Sequence, residues 1–172
     1  KAKYPSSKVL GFNTTDSEGT EGRVPGDKFT ARMNELGAVD HCDVICYHQY
    51  LTKITGFPGD EVEKGFKFAF KDFLEKSNGQ MPRPVWLSEG SPLIAPCDGF
   101  YSRTLPGGSR NEIYDSGDRI VRFVTSLRAN GVEKTFLYSM GMHNGFGTKN
   151  PHRIMIDAAG DLHPSGAAYS NM

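Results

Sequence analysis

Four short apolar runs begin near residues 9, 44, 85 and 135, and helical patterns separate them. This alternation constrains the fold of the 172-residue chain more than any other feature. The runs are Val9-Leu10-Gly11-Phe12, Val44-Ile45-Cys46-Tyr47-His48, Val85-Trp86-Leu87-Ser88 and Thr135-Phe136-Leu137-Tyr138-Ser139. Each is continuously apolar and rich in β-formers. Strands of a parallel sheet covered by helices read this way, because both of their faces are buried.

The segments between the runs carry helical spacing. After Pro25-Gly26, Asp27 is a plausible cap, Phe29, Met33 and Leu36 fall on one face, and Gly37 supplies a stop. From Asp60, the residues Val62, Phe66, Ala69, Phe70 and Phe73 form an apolar stripe that ends at Asn78-Gly79. A third helix is expected from about Tyr114 to Ala129, with Ile120, Phe123, Val124 and Leu127 inward and Asn130-Gly131 as its end. Ile154 to Asp157 reads as a short extended piece, and His163-Pro164 opens a last helix through Tyr169.

Strands alternating with helices predict an α/β fold with four parallel strands. Long loops follow the strands, notably from about Gly90 to Arg110. In a (β/α)8 barrel that side carries the chemistry. Eight such units would need about twice this length, so residues 1–172 read as one domain, half of a (β/α)8 TIM barrel. A complete four-stranded open sheet is the competing architecture.

Composition narrows the function classes. Lysine plus arginine equals aspartate plus glutamate at 20 each, so nothing basic points to nucleic acid. No apolar segment suits a membrane span, and no signal peptide is visible. Lys1 at the first position is expected for a processed or excised piece, so the missing signal is silent on location; a secreted or periplasmic setting is weakly favoured. Cys42, Cys46 and Cys97 lack zinc spacing and read as buried thiols. Asn13-Thr14-Thr15 fits a short glycosylation acceptor. His143, His152 and His163 form no helical pair, so no metal is expected, and no cofactor motif is present. The glycine-rich Gly141 to Gly147 lacks the Lys-Ser/Thr of a phosphate loop.

Glu89 closes the third run as Trp86-Leu87-Ser88-Glu89-Gly90, with a loop after it. A carboxylate at the C-terminal mouth of a buried strand is where an α/β barrel puts its chemistry. A capping or salt-bridged surface Glu is the plain alternative. By strand alternation, Val85, Leu87 and Glu89 share one side, with Trp86 and Ser88 on the other. Val44, Cys46, His48 and Tyr50 share a side in the second run. If Val44 and Val85 both point inward, Glu89, His48 and Tyr50 meet at the mouth. For His48 and Tyr50, ordinary packing is the alternative role.

These residues resemble the C-terminal half, strands five to eight, of the clan A retaining (β/α)8-barrel glycoside hydrolases. Trp86 to Gly90 resembles the seventh strand, where the nucleophilic Glu follows an apolar run and a Ser or Thr. Val44 to Tyr50 resembles the sixth strand with its His-x-Tyr end, and Phe136 to Ser139 the eighth. Lys8 to Gly11 fits the fifth. Asp157 to Pro164 is similar to the turn before the last helix. The resemblance implies hydrolysis of O-glycosidic bonds, with Glu89 as nucleophile and Tyr50 or His48 hydrogen-bonded to it, keeping it charged and oriented. It also implies a carbohydrate substrate. Tyr138 would wall the pocket, and His143 or Phe146 would stand where relatives carry a sugar-platform Trp. Tyr101, in Gly99 to Arg103, is a further aromatic able to stack on sugar.

Retaining hydrolysis needs a second carboxyl about 5–5.5 Å from the nucleophile. In the family that Glu follows an Asn at the fourth strand, which precedes this stretch. Asn34-Glu35 falls inside an expected helix, and Asn111-Glu112 in or after a long loop. The proton donor is therefore expected from an N-terminal half-barrel segment or a second chain, and the isolated chain is expected to be inactive. Two other readings stay open. One is a barrel relic that binds carbohydrate or protein without turnover. The other is an unrelated open α/β domain of a small-molecule enzyme.

Overall fold

The computed structural model of the protein describes residues 6–15, 24–51, 58–92, 110–138, 155, 156, 162 and 164–172. The apolar runs become β1 (Leu10–Thr15), β2 (Val44–Tyr50), β3 (Val85–Ser91) and β4 (Val132–Leu137). Between them lie α1 (Gly26–Glu35), α2 (Pro58–Ala69), α3 (Lys71–Lys76) and α4 (Arg110–Ala129); α5 (Pro164–Ser170) closes the chain. The four strands are parallel and lie in one sheet in the order β1-β2-β3-β4. Spatial order follows chain order without reversal, as in consecutive units of a barrel. A doubly wound sheet would reverse at a switch point. The sheet is that of half a (β/α)8 barrel.

The chain divides into two compact units. The first holds residues 1–49, 62–90 and 127–136, and with them most of the sheet. Its core lies on one face of β2 and β3. Tyr47 packs edge-on against Phe66 of α2 and Phe70 at the α2–α3 break, with ring centroids 5.9 and 5.1 Å apart. Both Tyr47 and Phe70 are fully buried. Edge-to-face geometry sets the positive ring edge against the negative ring face. Gln49 is also fully buried, and its polar groups are matched: Tyr47 Oη donates to Oε1 at 3.1 Å, and Nε2 donates to the Val62 carbonyl at 3.1 Å. A buried amide without such partners would be strongly destabilising.

α1 packs against β1 and α3. Gly26 opens α1 where any larger residue would collide with β1, since a Cβ there would lie 1.7 Å from the Thr15 carbonyl oxygen. Buried Thr14 Oγ1 donates to the Gly26 carbonyl at 3.2 Å and ties the two elements. Asn34 of α1 donates to Asp72 of α3 at 2.7 Å. Lys76 completes that cluster at 2.7 Å. Lys76 and Asn34 hold the Asp72 carboxyl below its ordinary range.

The second unit holds residues 50–61, 91–126 and 137–172. Most of α4 lies here, with Ile120, Phe123 and Val124 buried at the expected helical spacing. Ile156 and Leu162 form one antiparallel bridge.

Several boundaries differ from the sequence expectation, each for a local reason. α2 starts two residues before Asp60, at Pro58, because proline is preorganised for the first helical position. The expected single helix breaks at Phe70, whose ψ of 20° separates α2 from α3. α4 begins at Arg110 rather than near Tyr114, so Asn111-Glu112 lies in a helical first turn, not a loop. β1 extends to Thr15, three residues past the expected end. β4 starts at Val132 rather than Thr135, because its charged, exposed Glu133 and Lys134 carry no apolar signal.

Candidate functional site

The face of the sheet turned away from α2 builds the candidate site. Tyr47 and Gln49 face α2, so alternation sends Cys46 and His48 to the opposite face. Cys46 is hydrogen-bonded to Ser88 of β3, which places Ser88 on that same face. Burial and the nearby Cys42 push the Cys46 thiol up; Ser88 opposes them. Cys42 is likewise raised, first by burial. Both are buried free thiols. Cys97 lies outside the described residues.

This corrects the alternation expected between the strands. Trp86 and Ser88, not Val85 and Leu87, share the face of Val44, Cys46 and His48. Val85 and Leu87 are buried on the α2 side, at 1% and 0% exposure. Strict alternation would send Glu89 to that buried side as well. The strand is not strictly alternating. A Cβ on Gly90 would sit 2.4 Å from the Gln49 carbonyl oxygen and 2.8 Å from Leu87 Cδ2. Gly90 therefore faces the side of Leu87, three residues earlier, where a regular strand would repeat every two. One extra residue is inserted, the signature of a β-bulge. Burial along β3 agrees: Trp86 is half-buried between buried neighbours, Ser88 and Glu89 are half-buried in succession, and Gly90 is buried again. The bulge releases Glu89 from strict alternation near the C-terminal end of the strand. Glu89 engages a neighbour there and is not a bare surface carboxylate.

His48 lies near the C-terminal end of β2, half-buried, and pairs in register with Thr15 of β1. His48 and Glu89 thus stand at the C-terminal ends of adjacent strands in the first unit. Tyr50 and Tyr138 belong to the second unit, where each is half-buried and engaged. His143, Phe146 and Tyr101 lie outside the described residues, as do most of Asp157 to Pro164.

Two contributors escaped the sequence reading. Ser88 Oγ lies 2.5 Å from Asn13 Oδ1 and 3.2 Å from the Tyr47 carbonyl oxygen. Its single proton serves one at a time, and Asn13 is the nearer acceptor. The signal available was an Asn placed directly after a β-forming run, since Asn tolerates the left-handed backbone found there. Below this network, Trp86 is flanked by cations and an aromatic ring. Lys134 Nζ lies 4.5 Å and Lys8 Nζ 5.7 Å from the indole centroid, within the cation–π range. Phe136 tilts against it at 6.0 Å. Among the described residues Trp86 Nε1 is buried with no hydrogen-bond partner. No group of His, Cys, Asp or Glu among them could hold a metal ion. Nor does any described helix have the length and apolarity to cross a membrane.

No family model matches the chain, and no curated protein matches it. Among solved structures it is similar to a GH128 (subgroup I) endo-β-1,3-glucanase from Amycolatopsis mediterranei, crystallised as a mutant with laminaripentaose. The TM-score is 0.51 at 18% sequence identity. The match covers 83% of this chain and 49% of the glucanase, so the chain spans about half of that protein's length. The fold is related to that of a glycoside hydrolase.

Proposed function

We propose that this chain is the C-terminal half of a retaining glycoside hydrolase barrel, with Glu89 as its nucleophile. The observation that supports this reading is Glu89 itself, a half-buried carboxylate beside a bulge near the C-terminal end of a parallel strand. Barrel enzymes gather their catalytic groups at that end. An ionised carboxylate there can attack an anomeric carbon and form the glycosyl-enzyme intermediate. The imidazole of His48, on the adjacent strand of the same unit, is the sequence-predicted group that would orient it.

The proton donor comes from outside this chain, in a complementary N-terminal half. β1 and β4 end the described sheet, and Leu10 and Phe136 are 51% and 50% exposed. Unpaired edges and exposed apolar groups favour coverage by a partner. The substrate class is carbohydrate, and β-1,3-glucan is the first to test because the glucanase of related fold was crystallised with laminaripentaose.

The test compares wild type and Glu89→Gln, each assembled with the complementary half, on laminarin and on aryl β-glucosides. Loss of a nucleophile lowers kcat by about a thousandfold or more. Added azide should restore turnover of the aryl glycoside in Glu89→Gln and give a glycosyl azide of inverted configuration. Unchanged hydrolysis by Glu89→Gln rules out the nucleophile role. Glucan binding without turnover in the assembled wild type favours the binding-protein reading instead.

A further inference from the structure

β1 holds two successive non-glycine residues in left-handed backbone, Phe12 at φ +75° and Asn13 at φ +43°. Bulky residues avoid this region, and a strand keeps them there only if surrounding contacts demand it. The pairing shows what happens locally. Gly11 pairs with Ile45 and Thr14 with Tyr47, so Phe12 and Asn13 together oppose the single residue Cys46. This is a second bulge, on the other side of β2 from the bulge at Ser88-Glu89. It turns Phe12 against Phe73, centroids 5.7 Å apart, and sends Asn13 to Ser88. The Asn13–Ser88 bond joins residues 75 apart in sequence and crosses over Cys46, to which Ser88 is also bonded.

We propose that Asn13 is a positioning residue for Glu89. Its side chain clamps Ser88, the first residue of the β3 bulge, and so fixes the backbone that turns the next residue, Glu89, toward the strand end. The two bulges act as a matched pair: the strain in β1 is retained because it delivers an amide oxygen to the one hydroxyl adjoining the nucleophile. A hydroxyl held at one end of a bulge restricts the extra residue, whose backbone lacks regular ladder pairing. The catalytic part of this proposal rests on the reading of Glu89 as nucleophile; the clamp itself does not.

Two substitutions separate backbone strain from the clamp. Asn13→Gly accepts positive φ freely but removes the amide, so it keeps the fold and loses the bond. Asn13→Asp keeps both an acceptor oxygen and tolerance of left-handed backbone. Amide hydrogen exchange and laminarin kinetics are measured on the protein assembled with its complementary half. In Asn13→Gly, exchange at Ser88, Glu89 and Gly90 should rise about tenfold or more, with Val44 to Tyr47 unchanged, as expected of a local opening. Asn13→Asp should restore protection. Hydrolysis by Asn13→Gly should fall in kcat about tenfold with KM nearly constant, because the lost alignment acts on the reacting group rather than on sugar binding.

Unchanged exchange at residues 88–90 in Asn13→Gly overturns the clamp. Raised exchange with unchanged kcat overturns its role in catalysis. A fall in stability of the whole sheet, with exchange raised equally through β2, overturns it too by reducing Asn13 to general packing. Should the wild type hydrolyse no β-glucan, or Glu89→Gln retain full activity, the functional reading fails, while the exchange measurement still decides the clamp.

Discussion

The two faces of the β2–β3 pair are built on opposite plans. The face toward α2 is dry and satisfied. Tyr47, Leu87, Phe70 and Gln49 are fully buried there, and Gln49 spends its amide on Tyr47 and Val62. The other face is half-open and carries the local irregularities. It holds the β3 bulge, the Ser88–Asn13 hydrogen bond to the left-handed stretch of β1, lysines over the Trp86 ring and, among the described residues, a buried indole N–H without a partner. The contrast separates close packing from local irregularity within one pair of strands. Close packing on one side fixes the backbone firmly enough to hold strained geometry on the other.

The sharpest way to break this comparison is to empty the packed face. Phe70→Ala removes a fully buried ring that touches both Tyr47 and Phe66. Large-to-small changes of this kind cost about 3–5 kcal/mol, to be read from urea unfolding. A cost below about 1 kcal/mol would mean that this face is not the core.

Gly90→Ala attacks the point where the two plans meet. The added Cβ would collide with the Gln49 carbonyl, and backbone cannot give way as a side-chain tip can. Overpacking should cost about 1–3 kcal/mol. The β3 bulge should shift as well, so the Ser88 and Glu89 amide resonances should move more than those of α2. Movement confined to α2 would argue against the bulge.

Asp72→Asn probes the rim of the packed side through charge. Lys76 and Asn34 depress the Asp72 carboxyl, so the ionised form is favoured in the folded state. Its stabilising contribution is present above the unfolded value and is lost as pH falls through the lower folded value. Asp72 lies near solvent, so the effect is under about 1 kcal/mol at neutral pH. The wild-type advantage should vanish in acid, as read from thermal unfolding across pH. A difference that instead grew in acid would have the wrong sign for a depressed carboxyl.

The smallest effect on the isolated chain is expected from Phe136→Ser on the open face. Phe136 is half exposed, so stability should change by no more than about 0.5 kcal/mol. Association with a complementary half-barrel should nevertheless weaken, as measured by titration calorimetry. Equal effects on stability and association would erase the distinction between the faces.

The elements that were legible share a physical property: their pattern is local. β2 is a continuous apolar run and sits where that run predicts. α1 spans Gly26–Glu35 and stops just before Gly37 as expected, but its buried residues are Gly26 and Thr30, and Leu36 of the expected apolar face is exposed. β4 was placed late because only its second half is apolar. Glu89 stood out because a carboxylate after a buried strand is unusual in itself. The bulges were not legible. Inserting one residue into a ladder changes no composition and no obvious spacing, yet it reverses which face the next side chain meets. Alternation therefore put Val85 on the face of Val44, whereas it is the Ser88 side chain that meets Cys46 on that face. Asn13 was visible only as a glycosylation-like triplet, because its partner lies 75 residues away.

The sequence by itself determined the alternating strands and helices, the apolar stripes and the position of one carboxylate at a strand end. Those follow from hydrophobic period and local propensity, which neighbouring residues encode. Tertiary structure alone decided the sequential order of the sheet, the bulges in β1 and β3 and the link from Asn13 to Ser88. These depend on register between segments far apart in the chain, and a shift of a single residue is enough to change them.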